Sequence, residues 1–169
     1  MSKKIKSKED YIDLYADKIW DRASLVNPET GRFYDEQIPI LSALHHGIDR
    51  FIEAQDKYNT YQTALEEVKA GRKRTHWIWY IFPQMRGLGT SEMSKYYGIS
   101  DRDEATEYIN HPVLGDRLVE ITEAVYNNEN TVYEIFGNDA IKVRSCMLLF
   151  ASVCNIAIFK KMIHKYSWK

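Results

Sequence analysis

Between positions 71 and 91 the chain gathers residue types that bind anions, stack on rings and move protons. The run reads Gly71-Arg72-Lys73-Arg74-Thr75-His76-Trp77-Ile78-Trp79-Tyr80, then Pro83-Gln84, then Gly87-Leu88-Gly89-Thr90-Ser91. Arg72, Lys73 and Arg74 follow a glycine stop and precede an apolar stretch that reads as a helix. Positive charge at a helix start opposes the macrodipole, and a bound anion would offset that cost. Arginine adds two-point contact to phosphate or carboxylate. His76 opens the apolar stretch, and because imidazole titrates near neutrality it is the candidate catalytic acid–base. At helical spacing His76, Trp79 and Tyr80 share one face, and Trp77 or Trp79 can stack on a planar ring. Gly87 and Gly89 lead through a flexible loop to Ser91, a good N-cap, where free backbone N–H groups can meet an anion. Gln84 completes the candidate ligand set.

Each of these residues also has a plainer reading, and both stay open at this level. The three cations suit a solvated loop with snorkelling stems. Trp77, Trp79 and Tyr80 suit a packed core, and His76 suits a histidine bonded to a backbone carbonyl. Gly87 and Gly89 suit a turn. They are not a phosphate-binding P-loop, because the Gly-Lys-Ser/Thr ending is missing. Elsewhere the signals are weaker. His111 can cap a helix or simply stand extended before Pro112, and Arg117 can reach a helix end or an acidic neighbour. Asp139 and Lys142 read as helix-start capping and a solvated or paired lysine. His45-His46 has no companion at metal-ligand spacing, so no metal is expected. No Ser–His–Asp order, His-Glu-x-x-His pattern or carboxylate dyad occurs, and no cofactor is called for.

The elements that must position these residues read as helices. Only four prolines and eight glycines punctuate 169 residues, so long stretches lack both breakers. Tyr11, Ile12, Leu14, Tyr15, Ile19 and Trp20 recur at helical spacing, ended by Asn27-Pro28 and Gly31. Residues 1–44 are therefore expected to form a helical extension that packs on the body, residues 45–169. Ile48, Phe51, Ile52 and Gln55 mark the next helix. Thr60 is expected to cap another, with Leu65 and Val68 inside and Gly71 as its stop. Asp101 caps a helix through Tyr108, and Pro112 opens one whose Leu114, Leu118, Ile121 and Val125 share a face. Thr131–Phe136 is a short helix ending at Gly137. Asn138 is expected to cap the most apolar helix, which reaches at least Val153, and a last one carries Ile156, Phe159, Ile163 and Tyr166. No two alternating runs pair as a hairpin. The fold class is all-α, an irregular multihelical single domain.

Bulk properties narrow the function classes. A net charge of −1 gives no global field toward nucleic acid or anionic membrane, so any basic site must be local. The longest uncharged stretch, Ser145 to Phe159, falls short of the roughly 18 apolar residues of a membrane span. Cys146 and Cys154 would lie about 12 Å apart along one helix, too far for a disulfide. Two reduced thiols and a Lys-rich N-terminus without a signal sequence place the protein in the cytoplasm.

Several stretches resemble one known family. Asp49-Arg50-Phe51-Ile52-Glu53-Ala54-Gln55, the run Ala70 to Gln84, Gly87-Leu88-Gly89, Tyr97-Gly98-Ile99, His111-Pro112-Val113-Leu114-Gly115 and Ile135-Phe136-Gly137 are similar, in order and spacing, to the domain-of-unknown-function family numbered 1810. The resemblance covers about Gly47 to Phe159 and leaves the N-terminal extension outside. It implies a compact all-α multihelical fold and no established activity. Some bacterial members carry the label calpastatin, but inhibitory calpastatin repeats are disordered peptides and this chain has the composition of a packed domain.

Two functional classes follow. One is a protein that binds or processes a small anionic ligand, phosphorylated or nucleotide-like, with Arg72, Lys73 and Arg74 on the anion and Trp77 or Trp79 on a ring. Gln84, Gly87, Gly89 and Ser91 would then surround the ligand, with His76 as acid–base. The other is a non-catalytic interaction module in which the Tyr-rich extension forms an interface, including one between copies of the chain. Single-stranded nucleic acid is a third partner class, against which the near-neutral charge argues.

Overall fold

The computed structural model of the chain describes residues 47–169. The expected extension over 1–44 and the His45-His46 pair lie outside the described residues. Within them the chain is all-α. Its helices are α1 Asp49–Asp56, α2 Thr60–Lys69, α3 Ile78–Ile81, α4 Glu92–Tyr97, α5 Arg102–Asn110, α6 Pro112–Tyr126, α7 Val132–Phe136, α8 Ala140–Val153 and α9 Ala157–Lys165. Among the described residues the only β-type pairing is one parallel bridge between Met85 and Ile99. None of their helices is long and apolar enough to cross a membrane.

Helix α6 is the spine. Leu114, Leu118, Ile121 and Val125 recur every three or four residues and are all buried. Each such side chain contributes about 1.5–3 kcal/mol on burial. Around α6 pack α1, α2, α5 and α9, while α8 packs on α5, α7 and α9. Both helices next to the α5–α6 corner start on side-chain caps. Asp101 accepts the Glu104 N–H at 2.8 Å. His111 Nδ1 accepts the N–H groups of Val113 and Leu114 at 3.1 and 3.3 Å, with Pro112 in the first turn. His111 is thus at once a cap and an extended residue before proline. A capping box of Thr131 and Glu134 starts α7.

Three expected local features differ. Thr60 is not a cap: it lies inside α2, its hydroxyl bonds to the Lys57 carbonyl at 2.5 Å, and the cap position is Asn59 in the left-handed region. Asn138 does not cap α8. Gly137–Asp139 forms a 3-10 turn that carries the chain into it, and the cap residue Asp139 spends its carboxylate on lysines. The stretch from His76 is helical only over Ile78–Ile81, for reasons given below. Gly71 does end α2 as expected: its φ of +87° is the conformation glycine adopts freely, and a side chain there would meet the Asn130 amide at 2.5 Å.

Candidate functional site

An acidic side chain from α2 tethers the basic–aromatic run, and the helix after it begins only at Ile78 because Trp77, at φ −132°, lies outside the helical region. The Glu67 Oε1 atom accepts the N–H of Arg74 at 2.5 Å, of Thr75 at 2.9 Å and of the Trp77 indole at 3.1 Å. Its Oε2 atom accepts the Thr75 hydroxyl at 2.6 Å. Partial burial pushes the Glu67 carboxyl up, but the hydrogen bonds from Thr75, Arg74 and Trp77 outweigh it and leave it below the usual carboxylate range. Trp77 is 1% exposed, part of the core. At the other end Phe82 leaves the helical region ahead of Pro83, which limits α3 to four residues.

The three consecutive cations diverge. Arg72 and Arg74 are exposed. The Lys73 ammonium bonds to Asp139 at 3.2 Å and lies 5.2 Å from the centre of a Trp77 ring. His76 is exposed, and its carbonyl accepts the Tyr80 hydroxyl at 3.3 Å.

A concavity lies farther along, between the loop leading into α4 and the first turns of α8. It is a cavity of about 590 Å³, within the usual range of ligand pockets. From the loop side it is lined by Trp79, Gln84, Gly89, Thr90, Ser91 and Ser94, with Leu88 at its edge. From the α8 side come Ile141, Lys142, Arg144 and Ser145. Four expected ligand residues, Trp79, Gln84, Gly89 and Ser91, are brought together here. Arg72, Lys73, Arg74, His76, Trp77 and Gly87 are not part of the lining.

Polar chemistry dominates one wall. Lys142 bonds to Asp139 at 2.8 Å. The same carboxylate holds Lys73, so two ammonium groups share one anion. Burial pushes the Asp139 carboxyl up, and the hydrogen bonds from Lys142 and Lys73 more than reverse this, leaving it below its ordinary range. Arg144 donates from Nη2 to the main-chain oxygen of Lys169 at 2.6 Å, its one hydrogen bond among the described residues. Among the described residues the lining thus carries two cations and no side-chain carboxylate. The Gln84 side-chain amide makes no hydrogen bond among the described residues, and it lines both this cavity and a small deeper recess shared with Tyr97 and Lys142.

The loop wall is built tightly. The Ser91 hydroxyl accepts the Ser94 N–H at 3.1 Å and donates to the Ser94 hydroxyl at 2.9 Å. That N–H is therefore consumed by capping and does not face a ligand. A side chain at Gly89 would have its Cβ 2.6 Å from the Ser94 Cβ, so only glycine fits against α4. The loop ends are tied by Ile99 N–H to the Gln84 carbonyl at 2.9 Å and Arg86 N–H to the Ile99 carbonyl at 2.8 Å. Beneath them lies Arg50, 1% exposed. Its guanidinium pairs with both Glu104 oxygens, Nη2 to Oε1 at 2.7 Å and Nη1 to Oε2 at 3.1 Å. It also donates to the carbonyls of Tyr96 and Gly98, each at 2.9 Å, and of Gly47. Arg86 donates to the same Gly98 carbonyl at 3.2 Å. Two arginines therefore fix the end of α4 and, with it, the cavity wall.

The sequence pattern of the family described as "Protein of unknown function (DUF1810)" matches residues 45–168. The chain belongs to this family. The resemblance read from the segments between Asp49 and Gly137 is borne out. Among solved structures the DUF1810 chain is similar to the conserved hypothetical protein Rv1873 from Mycobacterium tuberculosis, with 41% identity and a TM-score of 0.69. That alignment covers 72% of this chain and 89% of the other. No curated protein matches it.

Sequence reasoning missed the α8 half of the cavity. Lys142 was read only as solvated or paired, and Arg144 and Ser145 were not singled out. A signal existed: α8, AIKVRSCMLLFASV, is the most apolar helix, and Lys142 and Arg144 are its two charges. Charges on such a helix must find water, a counter-ion or a ligand. Arg117, read as able to reach an acidic neighbour, bonds to Asp56 at 2.8 Å and to the Gln55 side chain at 3.2 Å, away from the cavity. Among the described residues no group of three or more histidine, cysteine, aspartate or glutamate side chains is placed to hold a metal ion.

Proposed function

We propose that this DUF1810 protein binds a small anionic ligand, phosphorylated or nucleotide-like, in the cavity between Trp79 and α8. The single observation that carries the reading is the union, in one cavity, of Lys142 and Arg144 with Trp79, Gln84 and the Ser91–Ser94 hydroxyls, with no acidic side chain among the described lining residues. Arg144 and Lys142 meet the anion, the first by two-point contact and the second as a point charge. Trp79 offers a flat wall to a ring. Gln84 can donate to and accept from its edge. Among the described residues the lining contains neither imidazole nor carboxylate, and the reading is one of ligand recognition.

Thermal unfolding of the full chain with inorganic phosphate, mononucleotides and small carboxylates tests the reading. A ligand at 100 times its dissociation constant adds about 2.7 kcal/mol, a rise of several degrees for a domain of this size. Lys142→Ala and Arg144→Ala should abolish the rise, and Arg74→Ala should leave it. If no anion raises the melting temperature, or if Arg74→Ala abolishes the effect while Arg144→Ala does not, the assignment is wrong. A second reading, a non-catalytic interaction surface, draws on Leu88 and Ile141, 62% and 65% exposed at the cavity mouth. An interface there predicts that Leu88→Ser with Ile141→Ser changes the mass in solution.

A further inference from the structure

A second cavity of about 410 Å³ lies on the other side of α8 from the Ser91 loop, and the two cavities share Ile141 and Arg144. These residues stand one turn apart on one helix face and form a low ridge between the two spaces. The second cavity has a different character. Its walls are the rings of Tyr133 and Trp168, and its floor is the short-side-chain stretch around Gly137 and Ala140. Tyr166 stacks on Trp168 at 5.0 Å with 23° between planes, and the Trp168 indole N–H reaches the Tyr133 hydroxyl at 3.4 Å. The aromatic wall is thus fixed before any ligand arrives. Arg144 spends one of its five N–H donors on the main-chain oxygen of Lys169, which anchors the guanidinium and leaves the others to face the ridge.

We infer that the two cavities are halves of one site for a ligand with two planar groups joined by an anionic bridge, the chemistry of a dinucleoside diphosphate. This rests on the anion-binding reading of the first cavity and specifies its substrate class. One ring lies against Trp79, the bridge lies on Arg144 within reach of Lys142, and the second ring lies against the exposed Tyr133. Each space alone is large enough for a nucleotide-sized group. Joining two such groups makes the second contact intramolecular, which raises affinity without new contacts.

The test is calorimetric titration of the full chain with adenosine monophosphate and with diadenosine diphosphate, in which two such nucleotides are joined phosphate to phosphate. The joined ligand should bind tighter by about tenfold or more. Tyr133 is 56% exposed, so Tyr133→Ala should fold. It should bring the joined ligand down to the affinity of the monophosphate, and Arg144→Ala should weaken both. Equal affinities for the two ligands in the wild type, with the monophosphate still lost in Arg144→Ala, would overturn the two-part site and leave the first cavity's reading intact. A parallel loss of both ligands in Tyr133→Ala would overturn it too, by placing the monophosphate in the second cavity. If neither ligand binds the wild type, nucleotide recognition falls at both levels, and only a response to phosphate or carboxylates in the thermal assay would keep the first cavity's reading.

Discussion

Replacing Arg50 with leucine should be among the most damaging single changes in the described residues. Its guanidinium is fully buried, pairs with Glu104 through two bonds of 2.7 and 3.1 Å, and satisfies the carbonyls of Tyr96 and Gly98. Arg50→Leu leaves the Glu104 carboxylate, only 10% exposed, with the Ser100 N–H at 3.1 Å and its own side of the pair empty. Removing one partner of a buried pair costs about 3–5 kcal/mol, because the remaining charge stays desolvated. At about 2–4 °C per kcal/mol for a chain of this size, the melting temperature should fall by about 6–20 °C. Urea unfolding of wild type, Arg50→Leu, Glu104→Leu and the double variant gives the full cycle. The double variant should recover part of the loss, since neither charge is then orphaned, and the coupling should exceed about 1.5 kcal/mol. A single-variant cost under about 1 kcal/mol, or zero coupling, would refute the view that this pair is the support beneath the cavity wall.

Other expectations are equally open to measurement. Glu67→Gln should cost about 1–3 kcal/mol near neutral pH, since it replaces an acceptor of four donors by a group that presents an N–H to some of them. Because the folded Glu67 carboxyl lies below its ordinary range, its contribution is complete above the unfolded value of about 4.3 and is lost as pH falls through the folded value. The gap between wild type and variant in urea titrations should therefore narrow in acid, and a gap unchanged down to about pH 2 would exclude this origin. Gly89→Ala should weaken ligand binding by pressing its Cβ, 2.6 Å away, on Ser94 Cβ. Calorimetric titration reads the effect, and an unchanged affinity would show that the loop accommodates the added methyl group. The Thr122 hydroxyl is buried with no hydrogen-bond partner among the described residues. Thr122→Val should accordingly raise stability by about 1 kcal/mol, and a loss on chemical denaturation would show that the hydroxyl has a partner.

Much of the fold was legible because its signals are local. The face of Leu114, Leu118, Ile121 and Val125, the Asp101 and Thr131 caps and the Gly71 stop each depend on residues within a few positions. Thr60, Asn138 and the stretch after Arg74 were misread because their outcomes depend on other parts of the chain. Thr60 follows two residues, Tyr58 and Asn59, that turn through the left-handed region at φ +55° and +56°, so the helix starts one position earlier than the hydroxyl could cap. The run after Arg74 has helical periodicity, but Trp77 lies at φ −132°, outside the helical region, and Phe82 leaves that region again ahead of Pro83. Periodicity records which face is apolar and says nothing about where the backbone leaves the helix.

The same distinction explains why the candidate site was half visible. Trp79, Gln84, Gly89 and Ser91 lie within thirteen positions of one another, and their chemistry stands out in a linear reading. Lys142 and Arg144 join them only when α8 is brought against the loop. Conversely, Arg72, Lys73 and Arg74 are adjacent in sequence and do not converge in space. Their apparent need for an external anion at the start of a helix vanishes on two counts: no helix starts there, and Glu67 already supplies a carboxylate to the backbone at Arg74 and Thr75. Around the first turns of α8 the balance is different. Among the described residues Lys73 and Lys142 share one carboxylate, Asp139, no side-chain carboxylate meets Arg144, and the cavity lining holds no acidic side chain. An unmatched charge beside a cavity is a stronger pointer to an anion than a longer basic run whose requirements the chain meets by itself.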